Sequence, residues 1–369
     1  MKRNFFLIIG LIAILFPMKL NAQDKKVDRT PKISGFVQGF WQGNIDKDFT
    51  LKDNTFQARR VRMSVEGKLM ENLSYKIQGD FIRNPFLVDA FVKYKFCDAF
   101  TVQVGQFKTP FSLESPINPV NLEIFDYGES VKGLVGYDDV CGVGGLGRDL
   151  GIMATGKLLK QNEDQDDDNK KYAIINYSIG VFNGNGPVTA IGGKPNSGKD
   201  NNNRKDFVGK LEIHPMMKDL TLSGSCYYGW YDDSNIHNGK RQRWSAGAQY
   251  SDGDILFRAE YLNGVTGINE EDANGNAIEK DMHSNGYYAV AGYNIKFGEE
   301  GKEQKLMPVI RYEHFAKDAD VVNGGKNYYT VGINYWPLKS LNFKLDYSLV
   351  QPESGDHSHR IVGILSYKF

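Results

Sequence analysis

The sequence predicts an all-β fold: a transmembrane antiparallel β-barrel of about 16 strands, with short periplasmic turns and long extracellular loops. Three observations predict it. Period-two alternation of apolar and polar residues recurs in sixteen segments from Ile33 onward. The connections between them are alternately tight and long. The last segment, Arg360–Phe369, alternates and finishes on an aromatic, with Tyr367 two residues before Phe369. That terminal pattern is typical of barrels whose closing strand carries the signal read by the assembly machinery.

At the other end, Lys2 and Arg3 precede an apolar run, Phe5–Phe16, which is followed by Leu20-Asn21-Ala22. This reads as a cleavable signal peptide over residues 1–22, and therefore as export. The run is shorter than the roughly 20 apolar residues a spanning helix needs, which weighs against an N-terminal anchor. Residues 23–32 then form a short periplasmic segment, and residues 33–369 form the barrel domain.

Composition excludes a bundle of membrane helices, because no second apolar run approaches spanning length. The chain has 20 Tyr, 22 Phe and 40 Gly but only 12 Pro, a balance that suits many short strands and turns. Its 45 basic and 45 acidic residues cancel, and loss of the leader with Lys2, Arg3 and Lys19 leaves −3. No basic excess points to nucleic acid. Cys97, Cys141 and Cys226 have neither metal-ligand spacing nor the even count of a disulfide framework, and read as unpaired thiols.

The segments span 33–44, 54–68, 73–81, 87–96, 100–108, 149–158, 172–182, 206–214, 221–231, 242–251, 255–264, 284–297, 306–315, 327–336, 341–349 and 360–369. Most have the roughly 9–11 residues with which a tilted strand crosses a bilayer. In the fourth, Val88, Ala90, Val92, Tyr94 and Phe96 oppose Asp89, Lys93 and Lys95. In the fifteenth, Leu341, Phe343, Leu345, Tyr347 and Leu349 oppose Asn342, Lys344, Asp346 and Ser348. Alternation alone suits a soluble sandwich as well as a barrel; the barrel differs in turning its apolar face to lipid and its charged face to a wet lumen.

Aromatic placement and loop parity favour the barrel. Tyr94, Phe96, Tyr228, Trp230, Trp244, Tyr250, Phe257, Tyr261, Tyr335 and Trp336 lie near the ends of apolar faces, as interfacial girdles require. Tight connections at 69–72, 97–99, 215–219, 252–254 and 337–340 alternate with long polar ones at 45–53, 109–148, 183–205, 265–283 and 316–326. Two connections on the tight side, 160–171 and 298–305, are longer than turns, and the first carries the acidic tract 163–168.

The order of motifs resembles the phosphate-selective porin O and P family of Gram-negative outer membranes. Phe56-Gln-Ala-Arg-Arg-Val-Arg62 leads into Glu66-Gly67-Lys68, followed by Gln78-Gly79-Asp80-Phe81 and Asp89-Ala90-Phe91-Val92. Val104-Gly105-Gln106-Phe107-Lys108-Thr109-Pro110-Phe111, Glu114 and Gly147-Arg148-Asp149-Leu150-Gly151 complete the pattern. The resemblance covers most of the chain after the leader and is most specific between Phe56 and Gly151. It implies a sixteen-stranded porin in the outer membrane, commonly a homotrimer, surrounded by outer-membrane lipid and passing small anionic solutes such as phosphate. No cofactor is implied.

Residues 109–148 are the expected constriction loop, too long for an idle connection. Gly142-Val-Gly-Gly-Leu-Gly147 matches a dinucleotide fingerprint, but the strand and helix that fingerprint needs are not readable around it. Lumen-directed cations are Arg60, Arg62, Lys76, Lys93, Lys95, Lys210, Arg258, Lys296, Arg311 and Lys344. Rings of such side chains lower the barrier for anions in a narrow pore. The dense group Arg60, Arg62, Lys93 and Lys95 is the expected selectivity set, with Lys76, Lys108, Arg148, Arg258 and Arg311 as further candidates. Acidic neighbours on the same faces, among them Glu66, Asp80, Asp89, Glu212, Glu260, Glu313 and Asp346, offer ordinary cross-strand pairing instead. Arg59 falls on the apolar face, which puts it at the membrane interface or a subunit contact unless the register shifts there.

Two other readings stay open: a secreted β-sandwich that binds glycans, and a barrel of the same fold passing sugars or peptides without anion preference. Neither a nucleophile elbow nor a zinc-protease motif is present, so an enzyme is not expected. His357-Ser-His359 in a polar loop is read as ordinary surface and no metal site is expected.

Overall fold

The computed structural model describes residues 27–369 apart from 84–85, 144, 165–166, 188, 192–193, 197–198, 216, 233–235, 272–276 and 300. The leader at 1–22 lies outside the described residues, as do the side chains at 162–171 within the acidic stretch.

Sixteen strands build the wall. They are β1 (Lys32–Ile45), β2 (Leu51–Lys68), β3 (Leu73–Asp80), β4 (Leu87–Cys97), β5 (Phe100–Lys108), β6 (Arg148–Asp164), β7 (Asp167–Phe182) and β8 (Asp206–Ile213). There follow β9 (Leu220–Tyr231), β10 (Gly239–Ser251), β11 (Ile255–Glu271), β12 (Ala277–Tyr293, continued by Ile295–Phe297), β13 (Gln304–Ala316), β14 (Gly325–Leu338), β15 (Leu341–Pro352) and β16 (Ser358–Lys368). Each pairs antiparallel with its sequence neighbours, and β1 also pairs with β16 from Phe36↔Lys368 to Ile45↔His359. The sheet is therefore a closed barrel without free edges, the arrangement that satisfies every strand in lipid. Phe369 continues the seam, accepting from the Gly35 N–H at 2.9 Å and donating to the Gly35 carbonyl at 3.0 Å.

The faces are inverted relative to a soluble protein. On β15, Asn342, Lys344 and Asp346 are 2%, 4% and 2% exposed, whereas Phe343, Leu345 and Tyr347 are 44%, 54% and 39% exposed. A sandwich would bury the apolar row, so this observation decides for a barrel in lipid. The strand count and closure agree with the sequence expectation, and two details differ. The polar stretches at 160–171 and 265–283 are mostly strand: β6 and β7 pair out to Asp164↔Asp167, and β11 and β12 pair out to Glu271↔Ala277. Backbone pairing extends these hairpins beyond the alternating segments, where no buried face imposes alternation.

The core lies inside the barrel. Residues 109–147, between β5 and β6, fold inward as a 3-10 turn at Pro119–Asn121 and a helix, α1 (Glu129–Val135). Asn118 caps the turn, its side-chain oxygen accepting from the Val120 N–H at 3.3 Å. Gly136 ends α1 at φ 87°, a left-handed conformation that glycine adopts without strain. Phe111, Leu122, Val131 and Leu134 pack against Val208, Tyr227, Leu262, Tyr288, Val290 and Val309 of the wall. Each such side chain contributes roughly 1.5–3 kcal/mol on full burial. The approach is close: a Cβ on Gly286 of β12 would stand 2.5 Å from the Ser130 Cβ of α1.

Candidate functional site

The site is the lumen, and the first device that shapes it is a bulge. In β2, Arg60 pairs with Gln38 but Ala58 pairs with Gly39, so Arg59 is the extra residue. The bulge returns Arg59 to the interior beside Arg60. This removes the anomaly of an arginine on the lipid face. Both guanidinium groups converge on Asp126 of the loop, at 2.7 Å from Arg59 and 3.5 Å from Arg60. The Arg59 guanidinium also lies 3.5 Å from the centre of the Phe125 ring.

The same pattern repeats around the loop. Arg258 is 2.6 Å from Glu123 and 3.6 Å from Glu114. Arg311 binds Glu114, whose second oxygen accepts from the Gly128 N–H at 2.9 Å. Asp139 lies 3.0 Å from Arg241 and 3.1 Å from Arg243. In the reverse sense, wall carboxylates receive loop donors. Glu260 accepts from the Ser112 hydroxyl at 2.8 Å and from the Leu113 N–H at 2.9 Å. Glu313 accepts from the Ser130 N–H at 2.9 Å and its hydroxyl at 2.7 Å. Lys344 donates to the Leu122 carbonyl, and the Asn334 amide donates to the Glu123 carbonyl at 2.7 Å. Burial alone pushes the Asp126 carboxyl up, but Arg59 and Arg60 outweigh it and hold it at about 2. Glu123 and Asp139 are lowered in the same way, burial opposed by Arg258 and by Arg241 with Arg243.

The cations expected to set selectivity are therefore not equivalent. Arg60, Arg258 and Arg311 are held by loop carboxylates. Arg62 pairs with Asp80 at 2.9 Å and Arg148 with Asp89 at 2.7 Å, both within the wall. Lys108 donates to the Ser115 carbonyl, to the Ile117 carbonyl at 3.0 Å and to the Tyr127 hydroxyl at 3.1 Å. Lys76 lies 3.4 Å from Glu66, and Lys95 lies 2.6 Å from Asp98 at the exposed rim. Lys93 has no ion pair among the described residues. The group Arg60, Arg62, Lys93 and Lys95 is thus spread from the loop to the rim rather than gathered at one point.

What the loop leaves open is one side of the barrel. A cavity of about 530 Å³ is bounded by Arg62, Lys76, Asp89 and Lys93 on the wall and by Thr109, Pro116 and Pro119 on the loop. A second, of about 880 Å³, is lined by Lys95, Asp98, Lys157, Lys160, His214 and Lys218 at the end carrying the tight turns. Lys93, Ser178 and Glu212 line both, so the two meet there. The walls of this passage come from β2 to β8, while the loop's apolar side chains also pack against Leu262, Tyr288, Val290 and Val309 of β11 to β13.

The phosphate-selective porin O and P family matches residues 33–362. The chain belongs to that family. Several solved porins share the fold of this porin at low identity. An anion-selective porin from Comamonas acidovorans is 12% identical with a TM-score of 0.61, over 93% of this chain and 100% of that one. The outer membrane channel DcaP of Acinetobacter baumannii is 12% identical with a TM-score of 0.59, over 92% and 97%. OmpT of Vibrio cholerae in its trimer form is 11% identical with a TM-score of 0.56, over 92% and 99%. No curated protein matches the sequence.

Sequence reasoning missed the loop carboxylates Glu123, Asp126 and Asp139 as partners of the wall arginines. Their signal was available only in outline, as acidic residues in a long loop opposite an arginine-rich wall. The structure groups no three His, Cys, Asp or Glu side chains as a metal site among the described residues.

Proposed function

We propose that this porin lies in the outer membrane and passes small anionic solutes, phosphate among them, through the passage between the loop and strands β2 to β8. The observation that carries this reading is the unequal fate of the cations. Arg59, Arg60, Arg241, Arg243, Arg258 and Arg311 hold the loop in place, whereas Lys93 lines the open passage without a carboxylate partner among the described residues. An unpaired ammonium beside a narrow aqueous path lowers the barrier for anions. The family's description as phosphate-selective and the anion-selective Comamonas porin support the same direction.

The inverted faces support insertion in lipid after export by the leader at 1–22. The trimer form of the Vibrio relative supports a homotrimer. The exposure of Tyr367 and Phe369 on the lipid face of the closing seam, 49% and 56%, supports a role as the signal read by the assembly machinery. The decisive experiment is reversal potential across a planar bilayer under a salt gradient, with phosphate added as competitor. An anion-directed potential and a phosphate-dependent fall in chloride current support the reading. A passage without preference would instead fit neutral solutes, to which the paired charges Lys76–Glu66 and Lys210–Glu212 are suited.

A further inference from the structure

The neck where the two cavities meet holds one carboxylate, Glu212. It lies 2.6 Å from the ammonium of Lys210, two residues earlier on the same face of β8. The two partners are not equally visible to solvent: the Lys210 side chain is 7% exposed and that of Glu212 is 29% exposed. A permeating ion therefore meets the carboxylate first, with the ammonium tucked behind it. Lys210 is set opposite Ser178 on β7 and opposite Ser225 on β9, and the Ser225 hydroxyl accepts from the loop's Ser112 N–H at 3.1 Å. The loop thus abuts the strand that carries this pair.

Among the described residues no other donor is arranged for Glu212. Asn176, its cross-strand neighbour, faces His214 instead, with its amide nitrogen 3.1 Å from the imidazole Nε2. Lys93 stands at the same neck without an ion pair among the described residues. The local charge is the ammonium of the half-buried Lys93 plus a Lys210–Glu212 pair that cancels.

We infer that Glu212 is a specificity-determining residue that limits anion preference by screening Lys210, so that the neck acts with one effective cation instead of two. This rests on the passage and the anion preference proposed above. The mechanism is simple electrostatics. With the carboxylate removed, the ammonium of Lys210 faces the path beside Lys93, and the local concentration of anions rises at the expense of cations. The other charged groups bordering the neck, Arg62, Lys76, Asp89 and Lys108 above and Lys157 and Lys218 below, are unchanged by the substitution.

The test is reversal potential in planar bilayers under a potassium chloride gradient. Glu212→Gln should raise the chloride-to-potassium permeability ratio roughly two- to fivefold, the effect of one uncancelled charge at a few ångströms in water. Glu212→Gln combined with Lys210→Gln should return the ratio to near the native value, and Lys93→Gln should lower it in either background. Heat-modifiable gel mobility checks that each barrel is intact. If Lys93→Gln lowers the ratio but Glu212→Gln leaves it unchanged, Glu212 does not screen Lys210 and the inference fails while the passage stands. If Lys93→Gln has no effect in a folded barrel, the passage itself is misassigned. A Glu212→Gln gain that persists without Lys210 would also overturn the screening role.

Discussion

Arg258 on β11 and Glu123 on the loop, 135 residues apart in sequence, form a buried pair at 2.6 Å. Each charge is costly to bury in that place, and the partner supplies the nearest compensation. The pair shows how this barrel uses its lumen. Much of the arginine-rich wall serves as the socket for a carboxylate-bearing loop.

Breaking this clamp should loosen the loop and not the wall. Glu123→Ala leaves Arg258 buried, with Glu114 at 3.6 Å as its remaining carboxylate. Losing one partner of a buried pair costs about 3–5 kcal/mol. The sixteen paired strands persist, so the cost is expected as larger and noisier single-channel conductance with unchanged heat-modifiable mobility. Quiet, native conductance in Glu123→Ala would show that apolar packing alone fixes the loop.

Acid should act on the same interface. Asp126 is held at about 2, below the ordinary aspartate value of roughly 3.9. A depressed carboxyl contributes stability that is fully present above its unfolded value and is lost as pH falls through its folded value. The Asp126 clamp on Arg59 and Arg60 is therefore intact from neutral pH down to about 4 and fails toward about 2. Current noise recorded from pH 7 to 2 should stay flat and then rise over the last two units, and Asp126→Asn should show the noise at neutral pH.

The thiols should divide cleanly. Cys97 and Cys226 are exposed and Cys141 is buried. Burial, and then the neighbouring Asp139, push the Cys141 thiol up to about 12. Maleimide in mild detergent should label two cysteines in the folded protein and three after denaturation. Labelling of Cys141 in the folded barrel would mean that the loop tip opens.

The closing seam offers a separate test. A Cβ on Gly35 would stand 2.4 Å from the Arg62 carbonyl oxygen and 2.6 Å from the Phe369 ring. Gly35→Val is expected to impair closure, seen as loss of the fast-migrating folded band. Polar residues appended after Phe369 should impair assembly too, if that aromatic is the recognised signal; normal assembly of the extended chain would remove that role.

The wall was legible because lipid outside and water inside impose period two on each strand, as Phe343, Leu345 and Tyr347 against Asn342, Lys344 and Asp346 show. The bulge at Arg59 showed only as an arginine out of step with the alternation, since one extra residue shifts the register without changing composition. Val362 and Ile364, 1% and 4% exposed, point inward on the nominally polar face of β16 and depart from the barrel rule. Their surroundings depend on a loop more than 200 residues away in sequence, which alternation cannot report. The same distance hid the partners of Arg258 and Arg311. Lys93 was named as a candidate, but its standing apart from Arg60 and Arg62 became visible only once the loop carboxylates had been placed.

Lys93, and not the arginines that hold the loop, is proposed to set ion preference. Reversal potential under a salt gradient, measured for the native porin, Lys93→Gln and Arg60→Gln, tests it most directly. An anion-directed potential that falls in Lys93→Gln and is retained in Arg60→Gln is expected. A native potential directed toward cations, or a fall in Arg60→Gln with none in Lys93→Gln, would contradict it.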